Sequence, residues 1–206
     1  MRIVTDKKKL NQPVTQTEVS KERIDEITEI LTTELSKQKG YGLSVNQLGI
    51  TDIRACIVDV MGGLVLINPR ITSTSDDSVI YYESCLSIPK TMRKPVKTLR
   101  YKSVTVETDN LGIIEFSPTN QKSDWKDSKE FFEDEGLLEC VAVQHEIDHL
   151  DGILITDKIR RYNTTYVAPK KYGRNDRVMV KMPNGNTEFM KYKLAIPFLE
   201  FGAEIL

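Results

Sequence analysis

The feature that most constrains the fold is the stretch EGLLECVAVQHEIDHL, residues 135–150, whose apolar periodicity is that of a helix with two apolar faces. One face carries Gly136, Cys140, Val143, Ile147 and Leu150. The other carries Leu138, Val141, Ala142, His145 and His149. A helix that is apolar on most sides must be covered on most sides. The sequence therefore predicts that this helix is buried and that Asp151-Gly152 ends it.

Upstream of this helix, the sequence indicates one further helix and several short strands. Residues 21–38 predict an amphipathic helix, with Ser20 as its N-cap and Gly40 beyond its end. The β-type runs span residues 53–60, 64–71, 79–88 and 103–110, the last leading through a hairpin turn toward residues 113–116. Along the chain, most of the strands come before the one long buried helix. This order predicts an α+β fold, with antiparallel β-sheets around that central helix.

Composition argues against a membrane protein and against a disulfide framework. The chain is 39% hydrophobic and 29% charged, as in ordinary globular proteins, and no apolar run is long enough to span a bilayer. The N-terminus has no apolar leader segment, and three cysteines cannot all pair within one chain. We therefore expect reduced thiols, a cytoplasmic location and no membrane contact.

Both histidines of the chain lie in the buried helix, as His145-Glu146-x-x-His149, the HExxH pattern. Residues four apart are neighbours on a helix, so both imidazoles can reach one metal ion. Glu146 lies beside them, where it can activate a water molecule at the ion. The other interpretation of the pattern is a buried helix with two hydrogen-bonded core histidines.

A catalytic metal centre needs a third protein ligand, and no histidine remains to supply it. Cys85 is the best candidate, because it lies where a β-type run passes into a loop, just before Pro89. Cys56 and Cys140 lie within apolar elements, where a cysteine behaves as a small buried hydrophobic residue.

Three segments of the chain resemble the signature motifs of the peptide deformylases: GYGLSVNQ (40–47), ESCLSIP (83–89) and QHEIDHLDG (144–152). They follow one another in the family's order and at its separations, and the resemblance covers residues 5–157. The family consists of metal-dependent hydrolases that remove the N-formyl group from the formyl-methionine of newly made polypeptides. The resemblance implies this activity, and formyl-Met nascent peptides as substrates.

The resemblance also implies roles for individual residues. The implied metal ligands are Cys85, His145 and His149. Glu146 would be the general acid/base, and the Gln47 amide and the Leu86 N–H would hold the formyl oxygen as negative charge develops on it. The implied substrate contacts are Tyr41, Gly42, Glu83, Ser84, Leu138, Val141 and Ala142. The last three share the helix face of the histidines and are expected to wall an apolar pocket for the methionine side chain.

One thiolate with two imidazoles suits several divalent metals. The resemblance implies one ion, with Fe²⁺ as the family's usual metal and Zn²⁺, Ni²⁺ or Co²⁺ as alternatives. Two segments depart from the family pattern. Ser44-Val45 stands where Ala-Ala is usual, and Ser84 replaces the glycine before the cysteine. We expect neither departure to touch a metal ligand or Glu146.

Residues 158–206 differ in composition from the predicted catalytic domain, residues 1–157. The part from 158 to 193 contains ten Lys and Arg against two acidic residues. Its Asn184-Gly185 predicts the turn of a β-hairpin, followed by a short terminal segment. The positive charge indicates either a solvated face or a contact with ribosomal RNA, and so with the ribosome.

Two other local expectations complete the prediction. ILIT, residues 153–156, predicts a strand after the buried helix, and the polar, acidic residues 117–135 predict an inserted loop. The sequence does not define the oligomeric state.

Two alternative functions stay open. A zinc endopeptidase is disfavoured, because these commonly take a third histidine or an acidic ligand downstream of HExxH. A catalytically weak or inactive relative, binding ribosomes or nascent chains through the basic extension, is disfavoured by the intact Cys85, Glu146 and Gln47.

Overall fold

The computed structural model describes residues 1–88, 95–119, 134–162, 172–173, 175–183, 185–199 and 202–206. Its helices are α1 (Lys7–Leu10), α2 (Lys21–Ser36), α3 (Glu135–Leu150), α4 (Ile155–Tyr162) and α5 (Tyr192–Leu199), and Val45–Leu48 forms a 3₁₀ turn. Among the residues described, none of these helices has both the length and the apolar character that a bilayer span requires.

The strands form small antiparallel sheets. They are β1 (Gly42–Ser44), β2 (Ala55–Val58), β3 (Leu64–Ile67), β4 (Arg70–Thr74), β5 (Ser78–Glu83), β6 (Val96–Tyr101), β7 (Val104–Thr108), β8 (Gly112–Phe116), β9 (Arg177–Lys181), β10 (Thr187–Lys191) and β11 (Glu204–Ile205). Their orders are β1-β2-β3, β4-β7-β8, β5-β6 and β10-β9-β11. The predicted combination of helices with antiparallel sheets is confirmed.

The sheet β1-β2-β3 forms the centre of the molecule. Every residue of β1 and β2 is buried, because α2 and α3 both pack against these strands. Helix α2 starts at the predicted N-cap, where the Ser20 side chain accepts a hydrogen bond from the Arg23 N–H. Its apolar stripe lies in the main hydrophobic core. The apolar face of α3 with Cys140, Val143, Ile147 and Leu150 lies in the same core.

The N-terminal segment crosses the end of α3. The Val14 N–H donates to the Leu150 carbonyl at 2.8 Å, and Asn11 Nδ2 donates to the Gly152 carbonyl at 2.7 Å. Gly152 has a φ of 71°, and a Cβ there would lie 2.6 Å from the Asn11 carbonyl oxygen. Glycine is therefore required at this crossing, which ties the end of α3 to the start of the chain.

Three of the predicted strands are wrong in detail, and the run 79–88 is a strand only as far as Glu83, where β5 ends. The run 64–71 is broken at Asn68, which has a φ of 49° and donates from Nδ2 to Asp109 Oδ2 at 2.6 Å. The chain changes direction there, so β3 and β4 join different sheets. The predicted strand at 153–156 is instead a short loop at residues 153–154, followed by the first two residues of α4. The Asp157 carboxylate accepts the Leu154 N–H at 3.2 Å, which favours a helical start.

The C-terminal region, here residues 172–206 as far as they are described, has a hydrophobic core of its own. Strands β9 and β10 form the predicted hairpin, and α5 and β11 pack with them. The buried residues of this core are Val178, Val180, Tyr192, Ala195, Leu199 and Ala203. The predicted domain boundary, between residues 157 and 158, falls within α4. The division into two domains stays a prediction. Most of the predicted acidic loop lies outside the described residues.

Candidate metal centre

Cys85, His145 and His149 come together at one end of α3. Cys85 lies two residues after the end of β5, and the two histidines lie one helical turn apart on α3. One potential ligand atom from each residue lies within 4.8 Å of the others, and Cys85 Sγ is 3.1 Å from His149 Nε2. All three residues are buried. The geometry is therefore that of three donors converging on one point, as a metal ion requires.

The three cysteines differ in their acidity. Burial raises the pKa of Cys85, but the charge of His149 and hydrogen bonds with His145 and His149 outweigh this effect and lower it to about 5. Burial raises the pKa of Cys140 to about 12, and it raises the pKa of Cys56 well above its ordinary value. Since the thiolate is the form that binds metals, Cys85 is the cysteine suited to be a ligand. Cys56 and Cys140 are core residues, as predicted.

Glu83 hydrogen-bonds to the Nδ1 atom of His145. Its Oε2 lies 2.7 Å from His145 Nδ1, and Arg100 donates to both carboxylate oxygens, at 2.6 and 2.8 Å. Burial raises the pKa of Glu83, but the charge and hydrogen bonds of Arg100, with the bond to His145, lower it well below its usual range. An ionised carboxylate on Nδ1 orients the ring and leaves Nε2 for a metal.

Arg100 was not found by sequence reasoning, because its strand β6 is not among the predicted β-type runs. It is 1% exposed, and it also pairs with Asp148 on α3. A buried arginine must be paired, and Glu83 and Asp148 supply the partners here.

The Glu146 carboxylate lies between two residues of β1. The Ser44 hydroxyl hydrogen-bonds to Glu146 Oε2, and a Cβ on Gly42 would lie 2.6 Å from Oε1. Burial raises the pKa of Glu146, and the charges of His145 and His149 oppose this increase. The expectation that the Ser44-Val45 departure leaves Glu146 untouched is wrong. Ser44 contacts it directly, because β1 packs against α3.

The Gln47 side chain is held at both ends. Its Oε1 accepts the Ser44 N–H at 2.8 Å, and its Nε2 donates to Ser87 Oγ at 3.2 Å. The Nε2 atom is also 3.9 Å from Cys85 Sγ. The amide is therefore fixed beside the cysteine, with its donor end toward the cleft.

A cleft of about 440 Å³ opens beside these groups. Its walls include every predicted substrate contact and both predicted oxyanion donors: Tyr41, Gly42, Gln47, Glu83, Ser84, Leu86, Leu138, Val141 and Ala142. Four further lining residues were not predicted: Lys39, Gly40, Tyr81 and Tyr82. Tyr81 could have been found, because residues two apart on a strand share a face and Tyr81 shares one with Glu83. Its side chain packs in a small core with Val79, Leu137 and Val141.

A histidine pair, a cysteine of low pKa and a buried glutamate at the edge of an open cleft are typical of metal-dependent hydrolases. The family model described as polypeptide deformylase matches residues 1–165. The chain is 30% identical over 171 residues to the peptide deformylase of Bartonella tribocorum, covering 79% of this chain and 84% of that protein. The chain belongs to the polypeptide deformylase family.

Solved structures agree with this assignment. A probable peptide deformylase from Synechococcus phage S-SSM7 is 27% identical with a TM-score of 0.57, over 75% of this chain and 97% of that one. The peptide deformylase of Thermotoga maritima is 25% identical, also with a TM-score of 0.57, over 76% of this chain and 95% of that one. The protein therefore has the peptide deformylase fold, and the family assignment identifies it as a hydrolase.

Proposed function

We propose that this protein removes the formyl group from the N-terminal formyl-methionine of newly made polypeptides. The observation that carries the proposal is the convergence of Cys85, His145 and His149 next to Glu146 at the cleft, in a chain of this family. The test is release of formate from formyl-Met-Ala-Ser by anaerobically purified, iron-loaded protein. Formate in amounts matching the new free amine supports the proposal, and its absence favours an inactive relative.

Cys85, His145 and His149 would hold one divalent metal ion, and the residues present fit this role. The Cys85 thiolate and two imidazoles form a donor set for Fe²⁺, Zn²⁺, Ni²⁺ or Co²⁺. The family's usual metal, Fe²⁺, is our proposal. Such an ion polarises a carbonyl and lowers the pKa of bound water toward neutrality.

Glu146 would carry the proton in the reaction. It is buried beside the two histidines, and burial raises its pKa above the ordinary carboxyl value, in the direction that a general acid/base requires. In this proposal its carboxylate takes a proton from the attacking water and returns it to the departing amine nitrogen. The Gln47 amide and the Leu86 N–H would stabilise the negative charge that develops on the formyl oxygen.

The cleft would bind the methionine side chain and the peptide backbone in different places. Leu138, Val141 and Ala142 project from α3 into the cleft, with the Tyr81 ring as a further wall. This apolar wall suits the methionine side chain. The backbone of the substrate would lie along Gly42 on one side and Ser84 on the other, as an added strand. Tyr41, at the mouth, is 56% exposed and is placed to contact residues after the methionine.

We infer further that the C-terminal region contacts ribosomal RNA. On the outer face of its sheet, Arg177 lies opposite Lys191, and Met179 lies opposite Phe189, which is 58% exposed. Lys181 extends this face. Many RNA-binding sheets combine cations with an exposed aromatic ring. The cations pair with phosphates, and the ring stacks on a base.

Co-sedimentation with ribosomes at increasing salt tests this contact. Replacing Arg177 and Lys191 with glutamine should weaken the association and reduce its salt dependence by about two counterions. The matched control replaces Lys8 and Lys9, two exposed lysines of α1, with glutamine. Equal losses of ribosome association in both variants would show that the effect comes from net charge. The basic face would then be interpreted as a solvated surface. The cytoplasmic location stays a prediction.

A further inference from the structure

Ser44 is completely buried at the end of β1, and its side chain contacts the proposed general acid/base. Its Oγ hydrogen-bonds to Glu146 Oε2 and lies 3.2 Å from the Glu146 backbone carbonyl oxygen. On the same strand, Gly42 leaves open the space that Glu146 Oε1 occupies, since a Cβ there would lie 2.6 Å from this atom. Strand β1 thus borders both oxygens of the carboxylate, with the Ser44 hydroxyl on Oε2 and Gly42 beside Oε1.

We propose that Ser44 is a positioning residue for deformylation, which fixes the orientation of the Glu146 carboxylate while Gly42 provides its space. The proposal rests on the role proposed above for Glu146. Free rotation of a carboxylate would place its oxygens away from the reacting water for part of the time. The hydrogen bond on Oε2 and the close strand backbone beside Oε1 restrict this freedom, and such preorganisation is worth a large factor in rate.

A hydroxyl group suits this position because it both donates and accepts hydrogen bonds. While Glu146 is a carboxylate, the Ser44 O–H donates to Oε2. After Glu146 has taken the proton, the carboxylic acid can donate to Ser44 Oγ, and the hydroxyl can turn to donate to the Glu146 carbonyl, 3.2 Å away. Ser44 can therefore hold the side chain before and after proton transfer, which alanine cannot do.

The side chain and the backbone of Ser44 serve different groups, so they can be tested separately. The Ser44 N–H donates to Gln47 Oε1 at 2.8 Å and orients the proposed oxyanion donor. Alanine keeps this N–H. The substitution Ser44→Ala therefore removes the contact with Glu146 and leaves Gln47 in place.

The first experiment measures kcat, KM and metal content of Ser44→Ala on a formyl-Met peptide. We expect kcat to fall about tenfold, with KM changed less than about twofold, because only orientation in the transition state is lost. Metal binding should stay at one ion per chain. The matched control is Val45→Ala, the adjacent buried residue, whose side chain packs in the main core. It should lower Tm and keep kcat. An unchanged kcat in Ser44→Ala, or a fall of kcat together with metal content, overturns the proposal.

A second measurement does not depend on activity. In the metal-free protein, denaturant unfolding of Ser44→Ala, Glu146→Ala and the double variant gives the coupling between the two side chains. Non-additive changes in the free energy of unfolding support the contact, and additive changes contradict it. Full activity of Glu146→Gln would instead show that the role of Glu146 itself is wrong.

Discussion

The main body of the protein and its C-terminal region bury different kinds of residue. In the described chain, the buried polar and charged residues all lie between Glu34 and His149, and four of them line the cleft: Gln47, Glu83, His145 and Glu146. The core of the C-terminal region is made of apolar and aromatic side chains, and its charges face solvent. Burying a polar group costs free energy unless it is paired. That cost falls mainly on residues around the proposed active site. The C-terminal region buries apolar and aromatic side chains and exposes its charged ones.

The largest expected effect is the difference in reactivity between two thiols of the main body, those of Cys85 and Cys140. With pKa values of about 5 for Cys85 and about 12 for Cys140, the thiolate fractions at pH 7 differ by about 10⁵-fold. Iodoacetamide should therefore alkylate Cys85 of the metal-free protein first, and the rate should fall as the pH drops through about 5. Mass spectrometry of peptides identifies the modified site. Modification of Cys140 or Cys56 before Cys85 would contradict the assignment.

Removal of the proposed base should give the next largest effect. Glu146→Gln keeps the shape of the side chain but cannot carry a proton, so kcat should fall by about 10²–10⁴. Metal content, measured by atomic emission, should remain near one ion per chain. Glu188→Gln, which makes the same change on exposed strand β10, should leave kcat as it is. Activity of Glu146→Gln within about threefold of the parent would place the base elsewhere.

The choice of substrate should show a smaller effect. Because Leu138, Val141 and Ala142 offer an apolar wall, a methionine side chain should gain about 1–3 kcal/mol in transition-state binding over a shorter one. The ratio of kcat/KM for formyl-Met and formyl-Ala peptides measures this gain. Equal values for the two peptides would show that the wall does not bind the first side chain.

Removal of the C-terminal region should have the smallest effect on chemistry. The chain should end after Tyr162, because α4 packs against β6 and Lys158 pairs with Asp148 at 2.7 Å. We expect kcat/KM for a short formyl-Met peptide to stay within about threefold, since every proposed site residue lies before residue 150. Circular dichroism controls for folding. A folded, truncated protein with a large loss of activity would show that the two regions form one catalytic unit.

Local patterns predicted the elements of the main body well, and contacts between distant segments were harder to foresee. The spacing of apolar residues placed α2 and α3, and the HExxH pattern with one suitable cysteine predicted three residues that do converge. The contact of Ser44 with Glu146 joins residues 102 positions apart, and spacing along a chain carries no information about such a pair. The break at Asn68 had a local signal, because Asn-Pro is a turn dipeptide and asparagine tolerates a positive φ, and this signal was overlooked.

The crossing of Asn11 over Gly152 determines when the enzyme can assemble. These residues are 141 positions apart, so the crossing cannot form until residue 152 has been synthesised. The hydrogen bond between Glu83 and His145 joins residues 62 positions apart. Folds dominated by such distant contacts form slowly, over milliseconds to seconds. An N-terminal fragment of this protein would emerge from the ribosome without a formed site, and catalytic competence would arise in one late step.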